Sequence, residues 1–173
     1  MTVLVLGPNG SGKSAYAEEY AMRLSAGALY YIATMIPYGD EGRARVERHR
    51  KQRKDMGFST VEKPTNVSDA TISPDAAALL EDVSNLLGNA MFDGERDGNG
   101  VFADITALCG KCRAAVLVSI EGLAELPEHD SETRGYIGAL NSLNKKLADF
   151  SDVVVAMRGG APIFTKGDAD ALD

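Results

Sequence analysis

Residues 7–14 read Gly-Pro-Asn-Gly-Ser-Gly-Lys-Ser, a spacing that leaves the surrounding chain few ways to fold. A short β-branched apolar run, Thr2 to Leu6, precedes it, and an amphipathic stretch, Ser14 to Ser25, follows. This is G-x-x-x-x-G-K-[ST] set between a buried strand and a helix. The glycines let the backbone wrap until successive N–H groups face one point, and the following helix turns its positive end to the same place. Such a cradle suits the phosphate chain of a nucleotide. Lys13 is expected to reach the β and γ phosphates and to take part in catalysis. The Ser14 hydroxyl is expected to bind a magnesium ion that bridges those phosphates. Gly7, Pro8, Asn9, Gly10, Ser11, Gly12, Lys13 and Ser14 are therefore the first candidate nucleotide-binding residues.

The rest of the chain alternates short apolar runs with helical stretches, the pattern of parallel strands joined by crossover helices. Further strands are expected at Ala28–Ala33, Ser59–Glu62, Ala76–Leu80, Ala115–Ser119 and Asp152–Met157, with an antiparallel edge at Ala161–Thr165. Helices are expected at Glu41–Asp55, Val83–Phe92, Phe102–Lys111 and Ser131–Phe150, and Asp93–Gly100 reads as a surface loop. The predicted fold is an α/β P-loop NTPase, a mostly parallel sheet with helices on both faces. At 173 residues this is one domain, residues 1–166, with a small acidic tail at 167–173 expected to fray.

A formal charge of −7 gives the molecule an acidic field, which argues against nucleic acid or an anionic membrane as partner. No run approaches about 18 apolar residues, and no signal-peptide pattern opens the chain, so a cytoplasmic protein without an integral membrane segment is expected. Cys109 and Cys112 form an isolated CxxC with no second ligand pair, and they read as reduced thiols near a helix end.

A P-loop needs a carboxylate at the end of a neighbouring strand to hold the metal's water shell. Leu79-Leu80-Glu81-Asp82 offers two, and strand alternation puts them on opposite faces; Glu81 is preferred, as a metal and nucleotide ligand. The stretch Glu41–Asp55 gathers Arg43, Arg45, Arg48, Arg50, Lys51, Arg53 and Lys54 around His49, a positive island on an acidic protein. Two readings of it stand. It is a solvated charged face, or it is a triphosphate-attracting helix whose histidine keeps a neutral, nucleophilic ring. Asn144-Lys145-Lys146-Leu147 begins like a guanine-reading element but lacks the aspartate and falls within a helix, so it reads as helix surface. His129, between Glu128 and Asp130, reads as solvated.

These pieces occur in one order: the GPNGSGKS loop, Tyr31-Ile32-Ala33-Thr34, Arg45-Val46-Glu47-Arg48-His49-Arg50, Thr60-Val61-Glu62, then Leu79-Leu80-Glu81 followed by Asn89. The order continues through Val116-Leu117-Val118-Ser119 with Glu121, then Pro127, Arg134, Tyr136 and Asn144. It resembles the bifunctional adenosylcobinamide kinase and adenosylcobinamide-phosphate guanylyltransferase family of cobalamin assembly. The resemblance implies a RecA-like fold, commonly a trimer, in which ATP or GTP phosphorylates a corrinoid hydroxyl. GTP then gives GMP to that phosphate through a guanylylated histidine, whose position His49 matches. It also implies that Thr34, Met35, Glu62 and Glu81 line the nucleotide site and that Arg50, Lys51, Gln52 and Arg53 contribute to it.

Two stretches depart from the family pattern. Phe58 stands where the family usually has tryptophan, and Ile120-Glu121-Gly122-Leu123-Ala124-Glu125-Leu126-Pro127 replaces a glycine-rich stretch and is one residue shorter. The alternatives are a P-loop kinase of another small-molecule hydroxyl, needing Lys13 and Glu81 but not His49, and a nucleotide-responsive binding module without transfer chemistry.

Overall fold

Runs of valine, leucine, isoleucine and alanine too apolar to leave either face in water become the central strands. In the computed structural model, which describes residues 1–92, 96–123 and 130–168, the strands are β1 (Thr2–Gly7), β2 (Leu29–Ala33), β3 (Ser59–Glu62), β4 (Ala77–Glu81), β5 (Ala114–Ile120), β6 (Val153–Arg158) and β7 (Ala161–Lys166), with β3 and β7 largely exposed at the two edges. The helices are α1 (Lys13–Leu24), α2 (Gly39–Asp55), α3 (Val83–Phe92), α4 (Gly98–Cys109) and α5 (Ser131–Phe150). Within α2 the side chains at 41, 45, 48–50, 52 and 54 lie outside the described residues.

The strands form one sheet in the order β3-β2-β4-β5-β1-β6-β7. Every neighbouring pair is parallel except β6 and β7. That last pair is a hairpin because Gly159 and Gly160 both take positive φ, 56° and 82°, which a two-residue turn matched to strand twist requires. β1 lies between β5 and β6, so the loop that follows it leaves from the interior of the sheet.

Alternation along the strands divides the core in two. Val3, Val5, Tyr31, Leu79, Val116, Val118, Val153 and Val155 pack with Ala17, Tyr20, Ala21 and Leu24 of α1. Leu4, Ile32, Leu80, Leu117 and Val154 pack on the opposite face with α3, α4 and α5. The mostly parallel sheet with helices on both faces is thus as expected, and the predicted edge strand is present.

Two local expectations are corrected. The surface loop at 93–100 is shorter than predicted: α4 begins at Gly98, because Asp97 caps it by accepting hydrogen bonds from the Asn99 and Gly100 N–H groups. Residues 93–95 lie outside the described ones, as do 169–173 of the tail and 124–129, which include His129. Asn144 is not helix surface. It is 8% exposed, accepts from the Ser119 hydroxyl at 2.6 Å and donates to the Ile120 carbonyl at 2.9 Å, fastening α5 to the end of β5.

Cys109 ends α4, and both cysteines are free thiols. Burial, then the neighbouring Cys112, pushes the Cys109 thiol up to about 12, and burial also raises Cys112. Neither is an activated thiolate at neutral pH. Replacing Asn144 by alanine leaves the Ile120 carbonyl and Ser119 hydroxyl buried without these partners. The expected loss is about 2 kcal/mol, read as a lower urea midpoint at unchanged slope.

Candidate functional site

The loop between β1 and α1 takes its shape from three glycines. Gly10 and Gly12 adopt positive φ, 73° and 83°, where a side chain strains the backbone. Gly7 has no room for one: a Cβ there would lie 2.5 Å from the Ser11 Oγ and 3.0 Å from the Met157 Cβ. Lys13 is 8% exposed and donates to the Pro8 carbonyl at 3.4 Å, so its ammonium lies over its own loop. The Ser11 Oγ is buried without a hydrogen-bond partner among the described residues.

Strand alternation places Glu81 on the α1 side, the side of Leu79. The Ser14 hydroxyl, in the first turn of α1, donates to its Oε1 at 2.5 Å. The Glu81 Oε2 is buried without a partner among the described residues. Burial raises the Glu81 carboxyl above its ordinary value; the Ser14 bond, Tyr31 and Arg53 oppose the rise, and the nearby Asp82 adds to it. On α1, one turn beyond Ser14, Glu18 is raised as well, by burial and then by the Glu81 charge, with Arg53 opposing.

The register of three strands extends the site. Ala33 of β2 is paired with Glu62 of β3 on one side and with Glu81 of β4 on the other. Two carboxylates therefore flank an alanine in one row at the carboxyl edge of the sheet, about 10 Å apart at the backbone. The space over the small residue is a cavity of about 150 Å³, lined among others by Tyr31, Ala33, Met35, Glu62, Glu81 and Asp82. Val46 and Arg53 of α2 form another wall. Ligands of open α/β sheets bind at this edge.

The walls are fixed by polar contacts behind them. Thr34 is fully buried and does not face the cavity; its hydroxyl accepts from the Asp82 N–H at 2.7 Å and donates to the Asp82 carbonyl at 2.8 Å, where the Glu81–Asp82 peptide is cis. Asn89 of α3 donates to the Thr34 and Pro64 carbonyls at 2.8 and 2.9 Å, tying the loops after β2 and β3 together. Asp82 caps α3, accepting from the Ser84 hydroxyl at 2.5 Å and the Asn85 N–H at 2.7 Å.

Of the residues expected from sequence, the fold brings Ser14, Glu81, Glu62, Met35 and Arg53 around one region, with Thr34 in support. Lys51 is exposed. The side chains of His49, Arg50 and Gln52 lie outside the described residues, although the backbone there belongs to α2. Tyr31, Val46 and Asn85 also line the cavity, without a sequence motif that marks them as lining residues. For Tyr31 the available signal was its parity with Leu79 and Glu81 on a buried face; for Asn85 it was the Asp82 cap that starts a helix beside the strand end.

The sequence profile of the cobinamide kinase / cobinamide phosphate guanyltransferase family matches residues 3–164. The chain belongs to that family. As a member it is an enzyme of the kinase and guanylyltransferase type, with corrinoid and nucleotide substrates. No curated protein matches the sequence.

Solved structures establish the fold alone. The flagellar accessory protein FlaH from Methanocaldococcus jannaschii superposes with a TM-score of 0.53 at 12% identity, over 96% of this chain and 78% of its own. An ATPase from the type III secretion system of pathogenic bacteria gives 0.50 at 12%, over 99% of this chain and 60% of its own. Both support an α/β P-loop NTPase. Among the described residues no helix is long and apolar enough to cross a membrane.

Because the folded protein holds Glu81 above its ordinary value of 4.5, folding favours its protonated form. The stability it contributes is present at acid pH and lost as pH rises through the raised value. Glu81→Gln is therefore expected to melt higher than the parent at about pH 7, with the gain shrinking toward about pH 4. The check is a pair of thermal midpoints at each pH.

Proposed function

We propose that this enzyme phosphorylates the aminopropanol hydroxyl of adenosylcobinamide with ATP or GTP and then transfers GMP from GTP to the resulting phosphate through His49. One observation carries the reading: the phosphate loop and the basic helix meet at the same carboxylate. Ser14 bonds Glu81, and Glu81 lines the cavity that Val46 and Arg53 of α2 also line. In sequence His49 falls three residues after Val46 and four before Arg53, the spacing that recurs along one helix face.

In the guanylyl step a ring nitrogen of His49 attacks the α phosphorus, the bond to the bridging oxygen breaks, and pyrophosphate leaves. The phosphoramidate then yields GMP to a phosphate oxygen of the acceptor, and the ring is restored. Arg50 and Lys51 supply positive charge toward the triphosphate, and Lys13 neutralises the β and γ phosphates. The loop formed by Gly7 through Ser14 holds the phosphate chain by its N–H groups, Pro8 supplying none, while Met35 and Glu62 bound the rest of the nucleotide.

Magnesium fits the donor set: a serine hydroxyl and a carboxylate with a buried, unpartnered oxygen are hard oxygen ligands. Among the described residues no group of three or more His, Cys, Asp or Glu is placed to hold a metal by itself. Ser14 and Glu81 would hold the ion together with phosphate oxygens, and it would supply charge neutralisation there. A homotrimer and a cytoplasmic site of action complete the proposal.

Incubation with magnesium and GTP is expected to raise the intact mass of the protein by one GMP, lost on acid treatment. His49→Ala is expected to abolish that shift. An unmodified parent protein, or a variant that labels like the parent, would refute the transfer mechanism.

A further inference from the structure

Helix α2 has no apolar stripe with which to hold itself against the sheet. Of its described side chains, Arg43, Ala44, Glu47, Lys51 and Asp55 are exposed, Val46 is half-buried, and Arg53 alone is buried, at 5% exposure. The Arg53 guanidinium carbon lies 3.5 Å from the centroid of the Tyr31 ring. A desolvated cation over an aromatic face is the strong form of that interaction. Phe58 meets the same ring edge-on, with centroids 5.9 Å apart and planes at 90°.

The chain reinforces this stack. The Arg53 carbonyl accepts from the Met56 N–H at 3.0 Å and the Phe58 N–H at 3.3 Å, so the turn that ends α2 and the aromatic that backs Tyr31 hang from the same residue. The Arg53 Nε is buried without a partner among the described residues. The guanidinium is thus held more by the flat ring than by a fork of hydrogen bonds, and a lysine ammonium could not copy that contact.

We infer that Tyr31 is a positioning residue for guanylyl transfer: its ring clamps Arg53 and so fixes where α2, the helix carrying His49, stands against the Glu62–Ala33–Glu81 row. The inference rests on the His49 reading above. It assigns Arg53 to holding the helix rather than to binding triphosphate. The clamp affects the rate at which GMP reaches the protein more than the affinity of the phosphate loop, which β1 and α1 build without α2.

The test follows adduct formation by intact mass at saturating GTP with magnesium, beside the affinity for a non-hydrolysable GTP analogue. Tyr31→Leu is expected to slow adduct formation about tenfold and to weaken affinity by less than about threefold. Tyr31→Phe keeps the ring and is expected to restore the rate to within about threefold. Arg53→Lys leaves the aromatic pair in place, so it keeps the test readable if Tyr31→Leu loosens the fold, and it is expected to show the same tenfold loss. Parent-like adduct rates in Tyr31→Leu and Arg53→Lys, or equal losses in rate and affinity, overturn the inference alone. No adduct on the parent protein overturns the His49 reading and the inference with it.

Discussion

The 2.5 Å hydrogen bond from Ser14 to Glu81 joins two parts of the chain that local structure alone would leave separate. Ser14 stands where it does because Gly10 and Gly12 accept conformations that let the loop close onto α1. Glu81 stands where it does because β4 continues its alternation one residue past Leu80, toward the α1 face. β5 lies between β1 and β4, so the contact reaches across a strand, and the parallel order of the sheet is what makes that possible. An antiparallel arrangement would send the loop and the acid to opposite edges.

Burial gives the same contact its chemical character. A carboxylate in water is already stabilised by its solvent, whereas one raised by desolvation gains more when a cation arrives. Glu81 retains one oxygen without a partner among the described residues, and Glu18 adds a second raised carboxyl nearby. The protein thus carries an electrostatic cost at Glu81 that a cation held there, as proposed, would relieve.

The strands, the helices and the phosphate loop were legible because each rests on short-range rules: period-two or unbroken apolar runs, helical spacing, and glycines at fixed offsets. The placing of Glu81 on the side of Leu79 was also legible, since it needed only parity along one strand. What escaped depended on partners far away in sequence. Nothing near Asn144 announces that it will meet Ser119, and its lysine neighbours point to a surface. Asp97 is the local exception: the stretch reads as a surface loop, yet an aspartate before Gly98-Asn99-Gly100 can cap a helix. The family resemblance implies Thr34 as a lining residue of the nucleotide site, and its hydroxyl is turned to the Asp82 main chain.

The basic helix shows why charge alone is an ambiguous guide. Read in sequence, Arg53 is one cation among several, and its similarity to a nucleotide-binding stretch suggests a phosphate partner. In the fold it is the buried member of the described set, and its charge is set against an aromatic ring and two carboxylates. Exposed cations can follow a ligand as it enters and leaves; a buried one cannot without surrendering its contacts. Among the described side chains of α2, the contrast between Arg53, anchored and buried, and the exposed Arg43, Glu47 and Lys51 follows from that difference. It gives a polar helix a defined place beside the site without an apolar face.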